Sequence, residues 1–365
     1  MKKVMLVFGT RPEAIKMCPL VKKLESASDF ECVVCVTGQH REMLNQVLDI
    51  FKVTPDYNLD IMRENQTLFS ITNSILDGMK PILEEEKPDI VLVHGDTTTT
   101  FATALAAFYS GIKVGHVEAG LRTYNIQSPF PEEFNRQAVS IISSFNFTPT
   151  ETSAKNLIKE GKDKDTIFIT GNTVIDALKT TVDVDYSHPV LEWASDSRLV
   201  MLTAHRRENL GKPMVNIFSA VSRILDEFPD VKVVYPIHKN PKIRELANQI
   251  FKDNPRLKII EPLEVQDFHN FMNSSYLILT DSGGVQEEAP SLGKPVLVLR
   301  ETTERPEGVE AGTLRLVGTE EEQIYNEFRN LLINQDDYIN MSQTSNPYGD
   351  GTASSKIVEI LKNNL

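Results

Sequence analysis

The sequence has few cysteines, no long apolar run and no surplus of positive charge. No apolar run approaches the roughly 20 residues that span a bilayer, so we expect no membrane partner. Lys and Arg number 38 against 51 Asp and Glu, which gives a formal net charge of −13. Because surfaces that bind nucleic acid or anionic membranes need a basic surplus, this balance argues against both as partners. The 41% hydrophobic and 24% charged fractions are typical of a globular enzyme and exclude disorder.

The N-terminus lacks the apolar core of a signal peptide. Its apolar stretch Val4–Phe8 ends at once in Gly9 and Thr10, whereas such a core has about 7–15 residues. We therefore expect a cytoplasmic protein.

Cys32 and Cys35 have the spacing of half a zinc site or of a redox pair. They lie in a β-branched run that predicts a strand, in which residues three apart point to opposite faces. We interpret both as small buried apolar residues, and the sequence shows no convincing ligand cluster for a metal.

The chain alternates short apolar runs with helix-length amphipathic segments, which indicates an α/β fold. Val, Ile and Leu runs without alternation predict strands buried on both faces, hence parallel sheets covered by helices. At roughly 100–200 residues per domain, 365 residues predict two doubly wound, Rossmann-like domains. A polar stretch between Thr180 and Arg198 places the hinge near 170–190. The predicted strands are Val4–Phe8, Cys32–Thr37, Ile90–His94, Lys113–Val117, Phe145–Thr148, Thr166–Thr170, Leu199–Thr203, Lys232–Pro236, Lys258–Ile260, Tyr276–Thr280 and Val296–Leu299.

No Gly-x-Gly-x-x-Gly follows any predicted strand and no Walker sequence occurs, so a dinucleotide or ATP site is disfavoured. The strongest phosphate signal is the strand Tyr276–Thr280 followed by Ser282, Gly283 and Gly284 and then a helix. Backbone N–H groups there can bind a diphosphate. Glu288, one helical turn later, is placed to accept hydrogen bonds from ribose hydroxyls. The pattern indicates a nucleoside diphosphate bound without NAD.

A second anion signal follows the first predicted strand. Gly9 permits a tight turn, and Arg11 and Lys16 put positive charge beside a helix N-terminus. An ordinary strand–helix turn with solvated charges explains this segment equally well.

Acidic residues follow several predicted strands of the first half. Asp96 and Glu118 lie directly after two strands, and Glu132 begins a helix shortly beyond. A single acidic residue after a strand is usually a helix cap. Carboxylates close together raise each other's pKa, so several of them favour the interpretation as a cleft for proton transfer. In the second half His205 follows a strand beside Arg206, where it could act as an acid or pair with a phosphate; His238 is a weaker signal of the same kind.

Eight blocks of the chain form a specific combination, in order and over essentially the whole length. They are Phe8–Lys16, His94–Thr100, Gly115–Arg122, Ile169–Thr173, Ala204–Asn209, Leu279–Gly293, Thr302–Glu307 and Asn346–Gly351. Together they resemble the non-hydrolysing bacterial UDP-N-acetylglucosamine 2-epimerases.

The resemblance implies the GT-B architecture, with two Rossmann-like domains facing a central cleft. Domain boundaries at 1–170 and 171–351 follow, with a last helix at about 352–365 that packs back on the first domain. The resemblance also implies a homodimer without a cofactor that interconverts UDP-GlcNAc and UDP-ManNAc, supplying ManNAc for cell-surface polysaccharide.

The resemblance assigns roles residue by residue. Four residues match the family's catalytic positions: Asp96, Glu118, Glu132 and His205. The substrate-binding positions are matched by Arg11, Lys16, Phe268, Ser282, Gly283, Gly284, Glu288 and Arg305. Gln39, Arg206 and His238 match a site at which some relatives bind a second UDP-GlcNAc as activator.

The chain departs from the family pattern at three positions. Leu263 stands where some relatives have a Gln near the nucleotide, which puts a side-chain contact to uracil in doubt. Glu42 and Asn65 stand where relatives with the activator site have Gln and Arg, which weakens that assignment.

The hydrogen on carbon 2 of GlcNAc is barely acidic, so an epimerase must oxidise a neighbouring hydroxyl or expel UDP. The missing dinucleotide fingerprint favours expulsion, which gives 2-acetamidoglucal, followed by re-addition. Inversion then needs a proton acceptor and a donor on opposite faces of the sugar. The alternatives are a GT-B UDP-sugar glycosyltransferase, a hydrolysing relative and a non-catalytic sugar-nucleotide sensor.

Overall fold

The computed structural model describes residues 1–38, 41–63, 66–252 and 254–365. The chain divides into two units, each built on one parallel sheet. Unit 1 comprises Met1–Thr180 and Tyr348–Leu365, and unit 2 comprises Thr181–Pro347.

Unit 1 contains a sheet with the strand order β3-β2-β1-β4-β5-β6-β7, and its neighbouring strands are parallel. Its strands are β1 Lys2–Phe8, β2 Phe30–Val36, β3 Tyr57–Asn58, β4 Ile90–His94, β5 Lys113–Val117, β6 Phe145–Thr148 and β7 Ile167–Ile169. Its helices up to the boundary are α1 Arg11–Glu25, α2 Arg41–Phe51, α3 Leu68–Glu86, α4 Thr98–Tyr109, α5 Glu132–Ile142, α6 Glu151–Lys159 and α7 Thr173–Thr181.

Unit 2 contains a second parallel sheet with the order β10-β9-β8-β11-β12-β13. Its strands are β8 Arg198–Thr203, β9 Val231–Pro236, β10 Leu257–Ile260, β11 Leu277–Thr280, β12 Val296–Val298 and β13 Leu314–Leu316. Its helices are α8 Pro189–Trp193, α9 Lys212–Glu227, α10 Pro241–Phe251, α11 Val265–Ser274, α12 Val285–Ser291, α13 Pro306–Ala311, α14 Glu321–Ile333 and α15 Gln335–Gln343.

The central strands are buried on both faces, as their uninterrupted apolar runs predict. Val4–Phe8 of β1 and Ile90–Val93 of β4 have no exposed surface, and helices cover both sides. The predicted fold class, two Rossmann-like α/β units, is confirmed. Residues that follow β1, β4 and β5 therefore lie at one edge of the unit 1 sheet, where parallel sheets bind ligands.

The last helix, α16 Ala353–Asn364, belongs to unit 1. The carboxylate of Asp176 in α7 accepts hydrogen bonds from the backbone N–H groups of Ala353 at 3.1 Å and Ser354 at 2.8 Å. The division of the chain at 180 and 347 therefore differs from the sequence-based boundaries at 170 and 351. The physical reason is that α7 is hydrogen-bonded to the first residues of α16 within unit 1.

All three cysteines are free. Cys35 is buried with its Sγ 3.8 Å from Sδ of Met79, whereas Cys32 is partly exposed. The two thiols differ in surroundings as the strand geometry predicts, but the expectation that both are buried is wrong for Cys32. Burial raises the pKa of each thiol to about 12. Among the described residues, no group of three or more His, Cys, Asp and Glu could hold a metal ion. Within the same part of the chain, no helix is long and apolar enough to cross a membrane.

Gly120 provides a stability test close to the predicted site. Its φ is +87°, and a Cβ atom there would lie 2.3 Å from the backbone oxygen of Ser153. Gly111 has φ of +70° with no atom within 4 Å of such a Cβ. We expect Gly111→Ala to lower the free energy of unfolding by about 1–2 kcal/mol, the backbone cost alone. Gly120→Ala should cost about 1–3 kcal/mol more, because the backbone of α6 must also shift.

Denaturant unfolding of both glycine variants and of the unmodified chain measures this difference. Equal losses in the two variants would show that the close approach of Gly120 to α6 is not a constraint on the fold.

Candidate active site

The turn after β1 is held by Glu13, which is itself buried. One oxygen of its carboxylate accepts hydrogen bonds from the backbone N–H groups of Gly9 at 3.0 Å and Thr10 at 2.7 Å. The other accepts from the hydroxyls of Thr97 at 2.6 Å and Thr100 at 3.2 Å. Glu13 therefore joins the turn that carries Arg11 to the turn that carries Asp96. Our sequence reasoning missed this residue, although Thr10 and Glu13 form the Thr-x-x-Glu pattern of a capping box.

Asp96 follows β4 and is held by two residues of α5. Nη1 of Arg136 lies 2.8 Å from its carboxylate, and the side-chain amide of Asn135 donates to its backbone oxygen at 2.8 Å. Burial raises the pKa of Asp96, Arg136 opposes this shift, and the charges of Glu118 and Glu132 add to it. The three predicted acids thus act on one another electrostatically, as expected for a carboxylate cluster.

Arg136 is shared between Asp96 and Glu133, whose side chain is fully buried. Nη2 of Arg136 donates to Glu133 at 2.7 Å. Glu133 also accepts from the backbone N–H groups of Thr123 at 3.0 Å and Tyr124 at 2.9 Å. Glu133 and Arg136 follow Glu132 in the sequence and were not predicted as site residues.

Glu118 follows β5 in a left-handed conformation, with φ of 64°. Its carboxylate accepts hydrogen bonds from the ammonium of Lys16 and from the side-chain amide of Asn172 at 2.7 Å. Nε2 of His94 lies 3.7 Å away. Burial by itself raises the pKa of Glu118, but Lys16, His94 and Asn172 together hold it well below its usual range. Glu118 is therefore an anion at neutral pH.

Two buried histidines lie behind these carboxylates. Burial lowers the pKa of His94 to about 3 and that of His116 to about 4, so both are neutral. Nε2 of His116 donates to the backbone oxygen of Gly95 at 2.7 Å, which fixes the turn before Asp96.

The remaining predicted residues of unit 1 begin helices. Arg11 is the first residue of α1 and Glu132 the first of α5, and both are partly exposed. Arg11, Asp96, Glu118 and Glu132 thus lie on turns or first helical turns after strands of the same sheet, and Lys16 lies in the second turn of α1.

In unit 2 the turn Ser282–Gly284 follows β11 as predicted. The backbone N–H of Ser282 donates to the hydroxyl of Thr280 at 3.0 Å in this structure. A Cβ atom on Gly283 would lie 2.8 Å from Nη1 of Arg305. The guanidinium of Arg305 therefore lies against the turn, held by the buried carboxylate of Glu287 at 2.7 Å.

The predicted ribose and uracil residues lie on α12 and α11. Glu288 is 3.6 Å from Nε2 of the buried His269, whose Nδ1 is hydrogen-bonded to the hydroxyl of Thr181 at 2.6 Å. Phe268 and Leu263 are partly buried against an apolar cluster of unit 2. The contacts of Glu288 with the ribose and of Phe268 with the uracil stay predictions.

His205 follows β8 and lies beside Asp281, which follows β11. Nδ1 of His205 is 3.4 Å from Oδ1 of Asp281. Its ring is stacked on that of His238, with centroids 5.6 Å apart and an angle of 11° between the planes. Burial lowers the pKa of His205, and Asp281 opposes this shift.

The predicted activator residues are described only in part. Arg206 contacts Glu304 at 3.4 Å and His238 is stacked on His205, both within unit 2. Gln39 and Asn65 lie outside the described residues, and the side chain of Glu42 is not described either.

The comparison with protein families identifies the family to which the chain belongs. The family model described as UDP-N-acetylglucosamine 2-epimerase matches residues 22–362. The chain belongs to the UDP-N-acetylglucosamine 2-epimerase family. The resemblance to its non-hydrolysing bacterial members and the GT-B-like fold class are thereby confirmed, and the chain is an enzyme of this family.

Individual epimerases agree with this assignment. The UDP-N-acetylglucosamine 2-epimerase of Bacillus subtilis is 62% identical over 359 residues, covering 98% of this chain and 94% of that protein. The epimerase of Neisseria meningitidis, solved bound to UDP-GlcNAc, superposes with a TM-score of 0.89 at 48% identity over 99% of this chain and all of that one. A Staphylococcus aureus MnaA structure with UDP gives a TM-score of 0.90 at 52% identity, covering 99% and 96% of the two chains.

Arg136 is the group through which the charge of Asp96 can be changed without altering the carboxyl itself. Arg136→Gln removes the cation that lowers the pKa of Asp96, so that pKa should rise further. We expect the limb of the kcat/KM profile that reports Asp96 to move to higher pH. Arg136→Lys keeps the charge and serves as the control with a smaller shift. A profile of Arg136→Gln that coincides with that of the unmodified enzyme would show that Arg136 does not act on the titrating group.

Proposed function

We propose that the chain interconverts UDP-GlcNAc and UDP-ManNAc by eliminating UDP to 2-acetamidoglucal and adding it back. In the first step a base takes the proton from carbon 2 while the bond from carbon 1 to the pyrophosphate oxygen breaks and its electron pair leaves with UDP. In the second step UDP returns to carbon 1 and carbon 2 is protonated from the opposite face. Atoms and charge balance without any net oxidation.

The observation that carries the proposal is the pair of carboxyls with opposite pKa shifts at one sheet edge. Glu118 is held as an anion by Lys16 and Asn172, whereas burial raises the pKa of Asp96 so that it can retain a proton. Pairs of groups whose surroundings push their pKa values apart are typical of acid–base sites. Asp96, Glu118 and Glu132 therefore share the acid–base work in this proposal.

The contact between Lys16 and Glu118 links phosphate binding to the chemistry. In the structure the ammonium of Lys16 donates to Glu118. A diphosphate that draws Lys16 toward itself removes the main cation from Glu118, and the pKa of that carboxyl then rises. Substrate binding thereby converts Glu118 from a paired anion into a stronger base.

The nucleotide is assigned to residues of both sequence halves. The relatives solved with UDP and with UDP-GlcNAc support UDP-GlcNAc as the ligand. The proposed contacts to UDP-GlcNAc are made by Arg11, Lys16, Phe268, Ser282, Gly283, Gly284, Glu288 and Arg305. His205 is proposed to lie near the leaving oxygen, where its imidazole exchanges a proton with UDP as the bond to carbon 1 breaks and re-forms.

The proposal extends to the cellular role, and all of it except the cytoplasmic location is taken from the family resemblance. The enzyme acts as a homodimer in the cytoplasm, its product supplies ManNAc for cell-surface polysaccharide, and Gln39, Arg206 and His238 contribute to binding of a second UDP-GlcNAc.

Incubation of the purified chain with UDP-GlcNAc alone tests the activity. We expect UDP-ManNAc to form, with UDP-GlcNAc the only nucleotide sugar added and no acceptor present. Release of free ManNAc and UDP would identify a hydrolysing enzyme. Turnover only with an added acceptor would identify a glycosyltransferase, and tight UDP binding without turnover a sensor; each of these results contradicts the proposal.

A further inference from the structure

We propose that Asp281 is a positioning residue that fixes the orientation and the tautomer of His205, leaving Nε2 of the imidazole to face the substrate. The inference deepens the proposed function, since it rests on a role for His205 near the departing UDP. It concerns residues of unit 2 alone.

The two oxygens of the Asp281 carboxylate have different surroundings. Asp281 has no exposed surface. Oδ2 accepts three hydrogen bonds, from the backbone N–H groups of His205 and Arg206, both at 2.8 Å, and from the side-chain amide of Asn209 at 3.0 Å. Oδ1 is buried and accepts none, and Nδ1 of His205 lies 3.4 Å from it.

An unpaired buried carboxylate oxygen is costly, so the protonation state of His205 is set by this contact. A proton on Nδ1 satisfies Oδ1, whereas a lone pair on Nδ1 would face the carboxylate charge. The neutral ring therefore carries its proton on Nδ1 and presents the lone pair of Nε2. A separation of 3.4 Å is long for a hydrogen bond, as is common at catalytic sites without ligand, and shortens when the ring is engaged.

The other groups around His205 keep the ring neutral and ready to accept a proton. Burial, the stacked ring of His238 and the charge of Arg206 all lower its pKa, and Asp281 opposes them. Asp281 thus has two effects: it selects the tautomer and stabilises the imidazolium that forms when Nε2 takes up a proton.

Asp281 also connects His205 to the phosphate turn. The backbone N–H of Asp281 donates to the oxygen of Thr203 at 3.0 Å, and Ser282 follows directly. The carboxylate of Asp281 thus binds the loop that carries His205, and Asp281 directly precedes the turn Ser282–Gly284. A diphosphate bound on that turn therefore lies at a set distance from His205.

Asp281→Asn tests the tautomer with little change in shape. The three N–H donors at Oδ2 require an acceptor, so the amide oxygen takes that place and the NH2 group faces Nδ1 of His205. This forces the proton of the ring onto Nε2, the reverse of the native arrangement. We expect kcat for epimerisation to fall by about 10²-fold or more while KM for UDP-GlcNAc changes only a few-fold.

A double-variant cycle separates positioning from a structural role. His205→Gln removes the ring, and adding Asp281→Asn to it should cause no further loss in kcat. Losses that multiply in the double variant would mean that Asp281 acts on the fold and not through His205, which overturns the proposal. Binding of UDP, followed by the fluorescence of the single tryptophan or by calorimetry, should be within a few-fold in all variants.

A ¹⁵N NMR measurement of the His205 ring tests the inference independently of activity. We expect the unmodified chain to show the neutral tautomer with the proton on Nδ1, and Asp281→Asn the tautomer with the proton on Nε2. A proton on Nε2 in the unmodified chain overturns the inference. If the unmodified chain does not epimerise UDP-GlcNAc but shows the Nδ1 tautomer, the proposed function fails while the positioning by Asp281 stands.

Discussion

Asp96→Asn is expected to abolish proton exchange at carbon 2 of the sugar while the fold remains intact. Asn cannot take up or release a proton in the pH range of the enzyme, and loss of one acid–base group typically costs about 10²–10⁴-fold in rate. Asn135 binds the backbone oxygen of Asp96, and Arg136 keeps its pair with Glu133, so the local structure retains its main contacts. Deuterium incorporation from D2O into UDP-GlcNAc, followed by NMR, measures the effect.

A matched control lies at the other end of the same strand. Asp89 precedes β4, where it accepts a hydrogen bond from the backbone N–H of Lys3 at 2.7 Å, whereas Asp96 follows β4. We expect Asp89→Asn to catalyse exchange at carbon 2 at the rate of the unmodified enzyme. Full exchange in Asp96→Asn, or an equal loss in both variants, would refute the catalytic role of Asp96.

Glu118→Gln is expected to lower kcat without weakening the binding of UDP. The loss of the carboxylate should lower kcat by about 10²–10⁴-fold, because Gln cannot act as a base. Lys16 loses its ion pair with Glu118, so that pair no longer competes with the diphosphate for its ammonium. We therefore expect UDP to bind this variant as tightly as the unmodified enzyme or several-fold more tightly, measured by calorimetry.

Two outcomes would contradict this account of Glu118. Weaker UDP binding in Glu118→Gln would mean that Glu118 and the diphosphate do not compete for the ammonium of Lys16. Retention of kcat would remove Glu118 from the acid–base cluster. Lys16→Met serves as the comparison, since it should weaken UDP binding.

The strand pattern could be predicted from the sequence because buried parallel strands are continuous apolar runs. Ile90–His94, Lys113–Val117 and Phe145–Thr148 have the predicted bounds. The strands β3 and β13 were missed because they are two and three residues long and contain no continuous apolar run. Once the strands are predicted, the site residues that follow them can be predicted too, because parallel strands place their carboxyl ends at one edge of the sheet.

The partners of the site residues could not be predicted in this way. Glu13, Arg136 and Asn172 contact residues 84, 40 and 54 positions away in sequence, at Thr97, Asp96 and Glu118. Such pairs depend on how helices pack on the sheet, which local pattern does not fix. Asp281 stood beside the predicted phosphate turn, but its contact with His205 depends on the pairing of β8 with β11.

The central claim is that carbon 2 loses its proton to a group of the enzyme while UDP departs, and the direct test is turnover of UDP-GlcNAc in D2O. The account predicts deuterium at carbon 2 in the UDP-ManNAc formed and, as the reaction reverses, in the recovered UDP-GlcNAc as well. Formation of UDP-ManNAc that retains its original hydrogen at carbon 2 would contradict the account.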